Sequence, residues 1–385
     1  MFLPSNIKLG IIGGGQLGKM LAESAAPWNI YYNFLDNADA PCKFLAKNFI
    51  VGSLQSETDI LALSNISDVI SYEIEHVNTD VLTRLHQEGK KIIPFPNVLA
   101  LIKDKGIQKQ FLHDNGLPVP PFSLINKEED WEKGLDTISG ETIVAKSRMG
   151  GYDGKGVKIC TKEEIKAGLR PFDINNCMLE TCVENALEIS VIVAVGQDKE
   201  MKTFPPVQME FDPVSNLVIF LHTALSISEE LAEECKAISL AAVASLKSPG
   251  LFAVELFVDH EKQVWVNEIA PRPHNSGHHT IEACYTSQYE QLNRILLGFP
   301  LGNTDLIKPA AMLNLVGPRD FSGAYMLNNL EKMLSIPGIY VHLYGKNESK
   351  PDRKLGHITV IADTKEELFE KVELAKTLSI HKANR

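Results

Sequence analysis

Lys146-Ser-Arg-Met-Gly-Gly-Tyr-Asp-Gly-Lys-Gly156 follows the apolar run Thr142-Ile-Val-Ala145, and four of its last seven residues are glycine. A strand that opens into such a loop lets backbone approach a phosphate closely, with Lys146 and Lys155 to neutralise it. A second stretch, Asn267-Glu-Ile-Ala-Pro-Arg-Pro-His-Asn-Ser-Gly-His-His279, is too polar and proline-rich for a core. It begins with two oxygen-bearing side chains of the kind a hard cation takes. Together the two stretches imply a nucleoside triphosphate bound with magnesium.

The acids fit that reading. Phe252-Ala-Val-Glu-Leu-Phe-Val-Asp259 and Val264-Trp-Val-Asn-Glu-Ile269 are strand-like runs joined by the hairpin loop His260–Gln263. Pairing Asp259 with Val264 brings Phe257 to Val266 and Glu255 opposite Glu268. Directly opposed side chains have Cβ atoms about 5 Å apart, so two carboxylates there need a cation or a proton between them. Magnesium shared with phosphate oxygens supplies it. Strict alternation sends Asn267 to the other face, so a metal role for Asn267 requires the strand to end or twist there.

With 385 residues the chain has room for two or three domains. Its 44% hydrophobic and 23% charged content is that of a soluble globular protein. No apolar run is long enough to span a membrane, and the N-terminus lacks a signal-peptide pattern. The six cysteines show no CxxC spacing, as expected for free thiols in the cytoplasm. A net charge of −11 with no long basic run argues against nucleic acid, and leaves phosphate binding to local basic clusters.

From Ile7 to about Pro96, short apolar runs alternate with helical stretches in βαβ order, hence a parallel sheet. Val69-Ile-Ser-Tyr72 is a strand running into Glu73 and Glu75. A short helix is expected around Asp104–Asp114, and Gly116-Leu-Pro-Val-Pro-Pro121 is a rigid connector. Strands are expected at Ile189–Val195 and Phe252–Val258. A helix runs from Ser226 or Ser228 to Leu246, with capping-box spacing from Ser226 to Glu229. The tail carries a strand at Ile339–Tyr344, a basic loop, Ile358-Thr-Val-Ile361 and a last amphipathic helix. Gly13-Gly-Gly-Gln-Leu-Gly18 fits GxGxxG between strand and helix, with Asp36 downstream. Three readings stay open for it: a dinucleotide site, an anion or substrate at the helix N-terminus, or a glycine turn kept for packing.

KSRMGGYDGKG, FAVELFV and VNEIAPRPHNSGHHT together resemble the N5-carboxyaminoimidazole ribonucleotide synthase family of ATP-grasp enzymes. IIGGGQLGKM and RKLGHITV extend the likeness over nearly the whole chain. The resemblance implies an α/β fold, α+β in part: an ATP-grasp fold with an N-terminal Rossmann-like domain and a small C-terminal domain. The expected division is 1–104, 105–187 (the lid), 188–310 (the catalytic part) and 311–385. It further implies a cytoplasmic homodimeric ligase using ATP, Mg2+, bicarbonate and 5-aminoimidazole ribonucleotide, with no nucleic-acid or membrane partner.

By that resemblance Lys146 contacts ATP phosphates, and Gly150 to Gly156, with Gly151, Tyr152, Asp153, Gly154 and Lys155, close over them. Glu180 and Val183 meet adenine through backbone groups, and Glu188 holds the ribose. Glu255, Asn267 and Glu268 hold magnesium. Lys105 stands where the family often has arginine, and lysine lacks the planar fork. Lys346, Arg353 and Lys354 grip the substrate phosphate, and Tyr152 and Asp153 face the imidazole. Glu73, at the C-terminal end of a parallel strand, sits where open α/β sheets place ligands and is expected at the substrate. Arg272, His274 and Asn275 line the bicarbonate site. Asp153, Arg272 and Lys146 are the expected catalytic residues, Asp153 accepting the amine proton. His278 and His279 are set aside as metal ligands, because a phosphate-bound hard cation prefers oxygen. Met149 and His279 depart from the family pattern, and the segment 204–211 is looser than usual. On the residues alone, a formate-dependent transformylase, an oxidoreductase and a silent nucleotide binder remain as alternatives.

Overall fold

The computed structural model describes residues 6–151 and 156–383. The N-terminal sheet is β1 (Leu9–Ile12), β2 (Tyr32–Asp36), β3 (Asn48–Val51), β4 (Val69–Tyr72) and β5 (Lys91–Ile92). Its order is β3-β2-β1-β4-β5, and every pairing is parallel. The middle strands β1 and β4 are buried at every residue, as apolar strands covered on both faces must be. Helices α1 (Gln16–Ala25), α2 (Glu57–Asn65), α3 (Thr79–Gln87) and α4 (Pro96–Ile102) connect and cover it. Next comes α5 (Lys105–Asp114), capped by the Asp104 carboxylate, which accepts from Gly106 and Ile107 N–H.

The lid is an antiparallel sheet in the order β6-β9-β7-β8. Its strands are β6 (Phe122–Ile125), β7 (Thr142–Ser147), β8 (Val157–Thr161) and β9 (Cys177–Thr181), with helices α6 (Asp130–Thr137) and α7 (Lys162–Lys166). Trp131, Leu135, Ile143 and Leu179 form its own core.

The third sheet has nine strands among the described residues. It contains β10 (Leu187–Val195), β11 (Met201–Thr203), β12 (Val207–Phe211), β13 (Val218–His222), β14 (Gly250–Val258) and β15 (Val264–Ala270). Between β13 and β14 runs α8 (Glu229–Ser245), whose cap is Ser228 accepting from Leu231 N–H; Ser226 lies outside the cap. After β15 come α9 (Thr280–Ala283), α10 (Gln288–Leu297), β16 (Ala310–Val316), β17 (Tyr325–Asn328), α11 (Leu330–Leu334), β18 (Ile339–Leu343), β19 (Lys354–Ile361), α12 (Lys365–Ala375) and β20 (Ser379–Lys382). The sheet order is β15-β14-β10-β12-β13-β16-β19-β18, so the C-terminal strands extend the catalytic sheet through the β13–β16 pairing. β17 and β20 pair separately. One apolar core joins the N-terminal sheet to α10: Leu9, Tyr32 and Met20 pack with Tyr289, Leu292 and Ile295. Asn293 fastens the same seam, accepting from Tyr32 Oη and donating to the Leu21 carbonyl.

Candidate active site

The two acids meet as expected, by an unexpected route. The closing pair of the β14–β15 hairpin is Val258 with Val264, and Phe257 stands opposite Trp265, not Val266. That register is one residue away from the pairing expected from the sequence. A β-bulge between Glu255 and Leu256 takes up Asn267 as the extra residue and restores Glu255 opposite Glu268. The bulge also turns the Asn267 side chain toward the lid, where its Oδ1 accepts from Lys146 Nζ at 2.8 Å.

Lys146 is the penultimate residue of β7, paired with Val157 and Met178. Its ammonium is 2.5 Å from Glu180 Oε2. The other Glu180 oxygen is 2.6 Å from Lys109 Nζ, and the Glu180 side chain is 2% exposed. Burial pushes the Glu180 carboxyl up, but Lys109 and Lys146 overcome this and hold it below its ordinary value. Lys105 pairs with Glu268. Burial raises Glu268 too, yet Lys105 and Lys146 hold it far down, at about 2. Glu255 is pushed up to about 8 by burial and by the nearby Glu268 and Glu188 charges. Glu188, at the start of β10, is raised to about 7, chiefly by burial. A pocket that raises one acid and depresses its neighbour is short of positive charge, and a hard divalent ion fits that deficit. No group of three or more His, Cys, Asp or Glu able to hold a metal occurs among the described residues. The acid pair with Asn267 would therefore share a cation with phosphate oxygens.

The loop base shows why glycine is needed. A Cβ on Gly156 would lie 2.8 Å from Gly151 Cα, so the two legs touch through backbone alone. Ser147 N–H donates to Gly156 O at 2.7 Å across the same neck. Tyr152, Asp153, Gly154 and Lys155 lie outside the described residues. Val183 lies two residues past the end of β9, with Glu180 in that strand.

On the far side, Arg272 donates through Nε to Glu75 Oε1 at 2.8 Å. His274 Nε2 is 3.5 Å from Glu255 Oε1, and its Nδ1 is 2.9 Å from Ser276 Oγ. Neither end of the Asn275 amide has a hydrogen-bond partner among the described residues, although both atoms are buried. His278 is buried against Tyr289, whose Oη lies 2.9 Å from Nδ1. His279 is also buried, and burial lowers its imidazole to about 4.

Glu73 follows β4 and reaches the glycine turn. Its carboxylate accepts from the N–H groups of Gly15 and Gly18, while Asp36 Oδ2 accepts from Gly14 N–H at 2.6 Å. Internal carboxylates therefore hold the donors a dinucleotide pyrophosphate would need, and this weighs against the dinucleotide reading. Burial, with Asp36 nearby, pushes Glu73 up to about 7. In the C-terminal basic loop, Lys346 Nζ donates to the Lys354 carbonyl at 2.8 Å, bringing two of the three expected phosphate ligands together. Arg353 donates to the Glu348 carbonyl at 2.9 Å.

Sequence reasoning missed Lys109, Glu75 and the ion pair of Arg148 with Asp104, 2.8 Å apart. A signal existed for Lys109: it stands four residues after Lys105 on α5, hence on the same face.

A lid sheet and a long catalytic sheet with opposed acids define an ATP-grasp ligase, and the comparisons agree. The ATP-grasp domain family matches residues 110–289. The ribonucleotide synthetase preATP-grasp domain matches 6–103, and the phosphoribosylaminoimidazole carboxylase C-terminal domain matches 310–371. The N5-carboxyaminoimidazole ribonucleotide synthase of Staphylococcus haemolyticus is 37% identical over 363 residues, covering 93% of this chain and 94% of the relative. The Thermotoga maritima synthetase structure superposes with a TM-score of 0.88 at 37% identity, covering 98% of this chain and 100% of that one. The Aspergillus clavatus enzyme, solved with ADP and 5-aminoimidazole ribonucleotide, gives 0.86 at 30% identity, covering 96% and 97%. The chain belongs to the N5-carboxyaminoimidazole ribonucleotide synthase family.

Proposed function

We propose that this chain joins bicarbonate to the amine of 5-aminoimidazole ribonucleotide at the expense of ATP, giving the N5-carboxy product, ADP and phosphate. The observation that carries this is the facing of Glu255 and Glu268 across a bulge that also aims Asn267 at Lys146. The Aspergillus relative's complex with ADP and the ribonucleotide supports the choice of substrates.

Bicarbonate is a poor electrophile, because hydroxide leaves badly. Transfer of the γ-phosphoryl group to it makes carboxyphosphate, which releases carbon dioxide beside the amine. Glu255, Glu268 and Asn267 would hold magnesium, which when bound offsets the charge of the phosphates. Lys146, and Lys105 from the other side, neutralise the transferring group. Arg272, steadied by Glu75, with His274 and Asn275, orients bicarbonate. Asp153 takes the amine proton, and the loop of residues 150–156 shuts water away from the labile intermediate. Glu180 and Val183 receive adenine, Glu188 the ribose, and Lys346, Arg353 and Lys354 the substrate phosphate, with Glu73 at the sugar. The four-part division, a cytoplasmic setting and a homodimer belong to this reading. No helix among the described residues is long and apolar enough to cross a membrane.

The test is ADP release with magnesium, ATP and bicarbonate, with and without the ribonucleotide. Strong stimulation together with acid-labile product is expected. Stimulation by formate and glycinamide ribonucleotide instead would reassign the acceptor.

A further inference from the structure

Lys109 has no assigned role, yet it is the most enclosed cation of the site, its side chain 2% exposed. Its ammonium has three oxygens in reach: Glu180 Oε1 at 2.6 Å, the Asn267 carbonyl at 2.8 Å and the Val266 carbonyl at 3.1 Å. The two carbonyl contacts are hydrogen bonds, and the Glu180 contact is an ion pair. Two of the acceptors belong to the bulge, and the third is the acid that holds Lys146.

β15 is the edge strand of the catalytic sheet, so one side of its backbone lacks a neighbouring strand. The α5 face and the connector after it stand in for that neighbour. Val266 N–H donates to the Pro118 carbonyl at 2.7 Å. Gln108 Oε1 accepts from Ile269 N–H at 2.7 Å, and its Nε2 donates to the Ile269 carbonyl at 3.2 Å. Between these two, where the bulge breaks the regular spacing, Lys109 takes both exposed carbonyls. A bulge is a local departure from the ladder, and its shape persists only if its displaced groups find partners.

We infer that Lys109 is a positioning residue for the phosphate and metal site, fixing Asn267 and Glu268 through the bulge carbonyls and Lys146 through Glu180. The inference rests on the functional reading above. It adds that the geometry of three groups on two sheets is set by one buried ammonium. A fold-stabilising cation would need only the Glu180 contact. The two carbonyl contacts tie Lys109 to the residues that would hold magnesium.

The test compares the wild-type protein with Lys109→Met and Lys109→Arg. Arginine keeps the charge and guards against a failure to fold. Affinity for ADP is measured by titration calorimetry with and without Mg2+, so the readout is the tightening that the metal confers. Backbone hydrogen exchange of residues 264–270 is followed in parallel. Lys109→Met is expected to lose about 10- to 100-fold of that tightening, the range typical of groups that orient metal ligands, with arginine intermediate. Exchange across the bulge rises in the same order, while KM for the ribonucleotide stays within about twofold of wild type. Metal-dependent tightening that either folded variant keeps in full overturns the inference, as does an equal loss of affinity with and without Mg2+. A wild-type protein whose ADP affinity ignores Mg2+ overturns the functional reading itself, and this inference with it.

Discussion

Lys146 and Glu180, on the neighbouring lid strands β7 and β9, are ion-paired at 2.5 Å. The cation expected to meet ATP phosphates is thus held by an acid whose other oxygen has a second lysine, Lys109, at 2.6 Å. Glu180 does not become an isolated buried charge when Lys146 turns to a phosphate, which limits the cost of the exchange. Lys146→Met should therefore fold. Its kcat/KM for ATP is expected to fall by about 100-fold or more, the scale of losing one preorganised charge from a phosphoryl-transfer site. Steady-state kinetics beside circular dichroism checks this; a folded variant with undiminished kcat/KM would remove Lys146 from the phosphate site.

Glu255→Gln and Glu268→Gln separate two roles that look alike on paper. Metal-free Glu255, at about 8, is protonated at neutral pH, so glutamine mimics its resting state. Thermal stability of Glu255→Gln without Mg2+ should stay within about 1 kcal/mol of wild type. Glu268 is ionised against Lys105. Its replacement leaves that lysine short of a partner and should lower stability by roughly 1–3 kcal/mol. Both variants should lose at least about 100-fold in turnover. Melting curves without metal that rank the two variants the other way would show the charge assignment to be reversed.

Glu73 gives a pH signature. Its carboxyl is raised from 4.5 to about 7, so between those values the folded chain binds more proton than the unfolded one. Stability from this group is complete below about pH 4.5, is lost as pH rises toward about 7, and is flat beyond. The loss is roughly 3 kcal/mol, from a shift of about two and a half units. Glu73→Gln should abolish that slope and gain on wild type as pH rises from 5 to 8. Urea titrations of both proteins across that range decide it, and parallel curves would mean Glu73 does not titrate there.

Gly13 is the residue of the turn least able to change. Its φ is +98°, and a Cβ there would come within 2.6 Å of Glu73 Cγ. Gly13→Ala is expected to cost about 1–3 kcal/mol and to displace Glu73 from the helix N-terminus. A raised KM for the ribonucleotide with an unchanged KM for ATP would follow; the opposite pattern would place the turn at the nucleotide.

Asp153→Asn tests the proton acceptor. The variant should keep ATP affinity and lose the carboxylated product by about 100-fold or more, within the range for a general base. Near-normal carboxylation would exclude Asp153 from that role.

Particular residues show what the sequence could and could not reveal. The parallel sheet, the strand into the glycine loop and the acid pair were legible, because burial and charge leave marks at fixed spacing. The facing of Glu255 and Glu268 came out right through two offsetting errors, a hairpin closed one residue early and a bulge uncounted. Alternation treats a bulged residue like any other, so Asn267 could not be seen turning toward Lys146. Lys109 carried a helical-spacing signal, but its partners Glu180 and Asn267 lie far along the chain. Glu73 was legible as a strand-end acid. That it closes the glycine turn depends on β4 lying beside β1, a topological fact with no local trace.

The β13–β16 seam makes the C-terminal strands part of the same slab as the opposed acids Glu255 and Glu268, with the Lys346–Lys354 loop joining β18 to β19 at its far end. The lid is a separate sheet. On the proposed function, such a molecule would measure its second substrate against a gauge: clamping down on the nucleotide would leave the reach from acids to basic loop unaltered. A ribonucleotide analogue one methylene longer between sugar and phosphate would meet a frame with no slack to take it up.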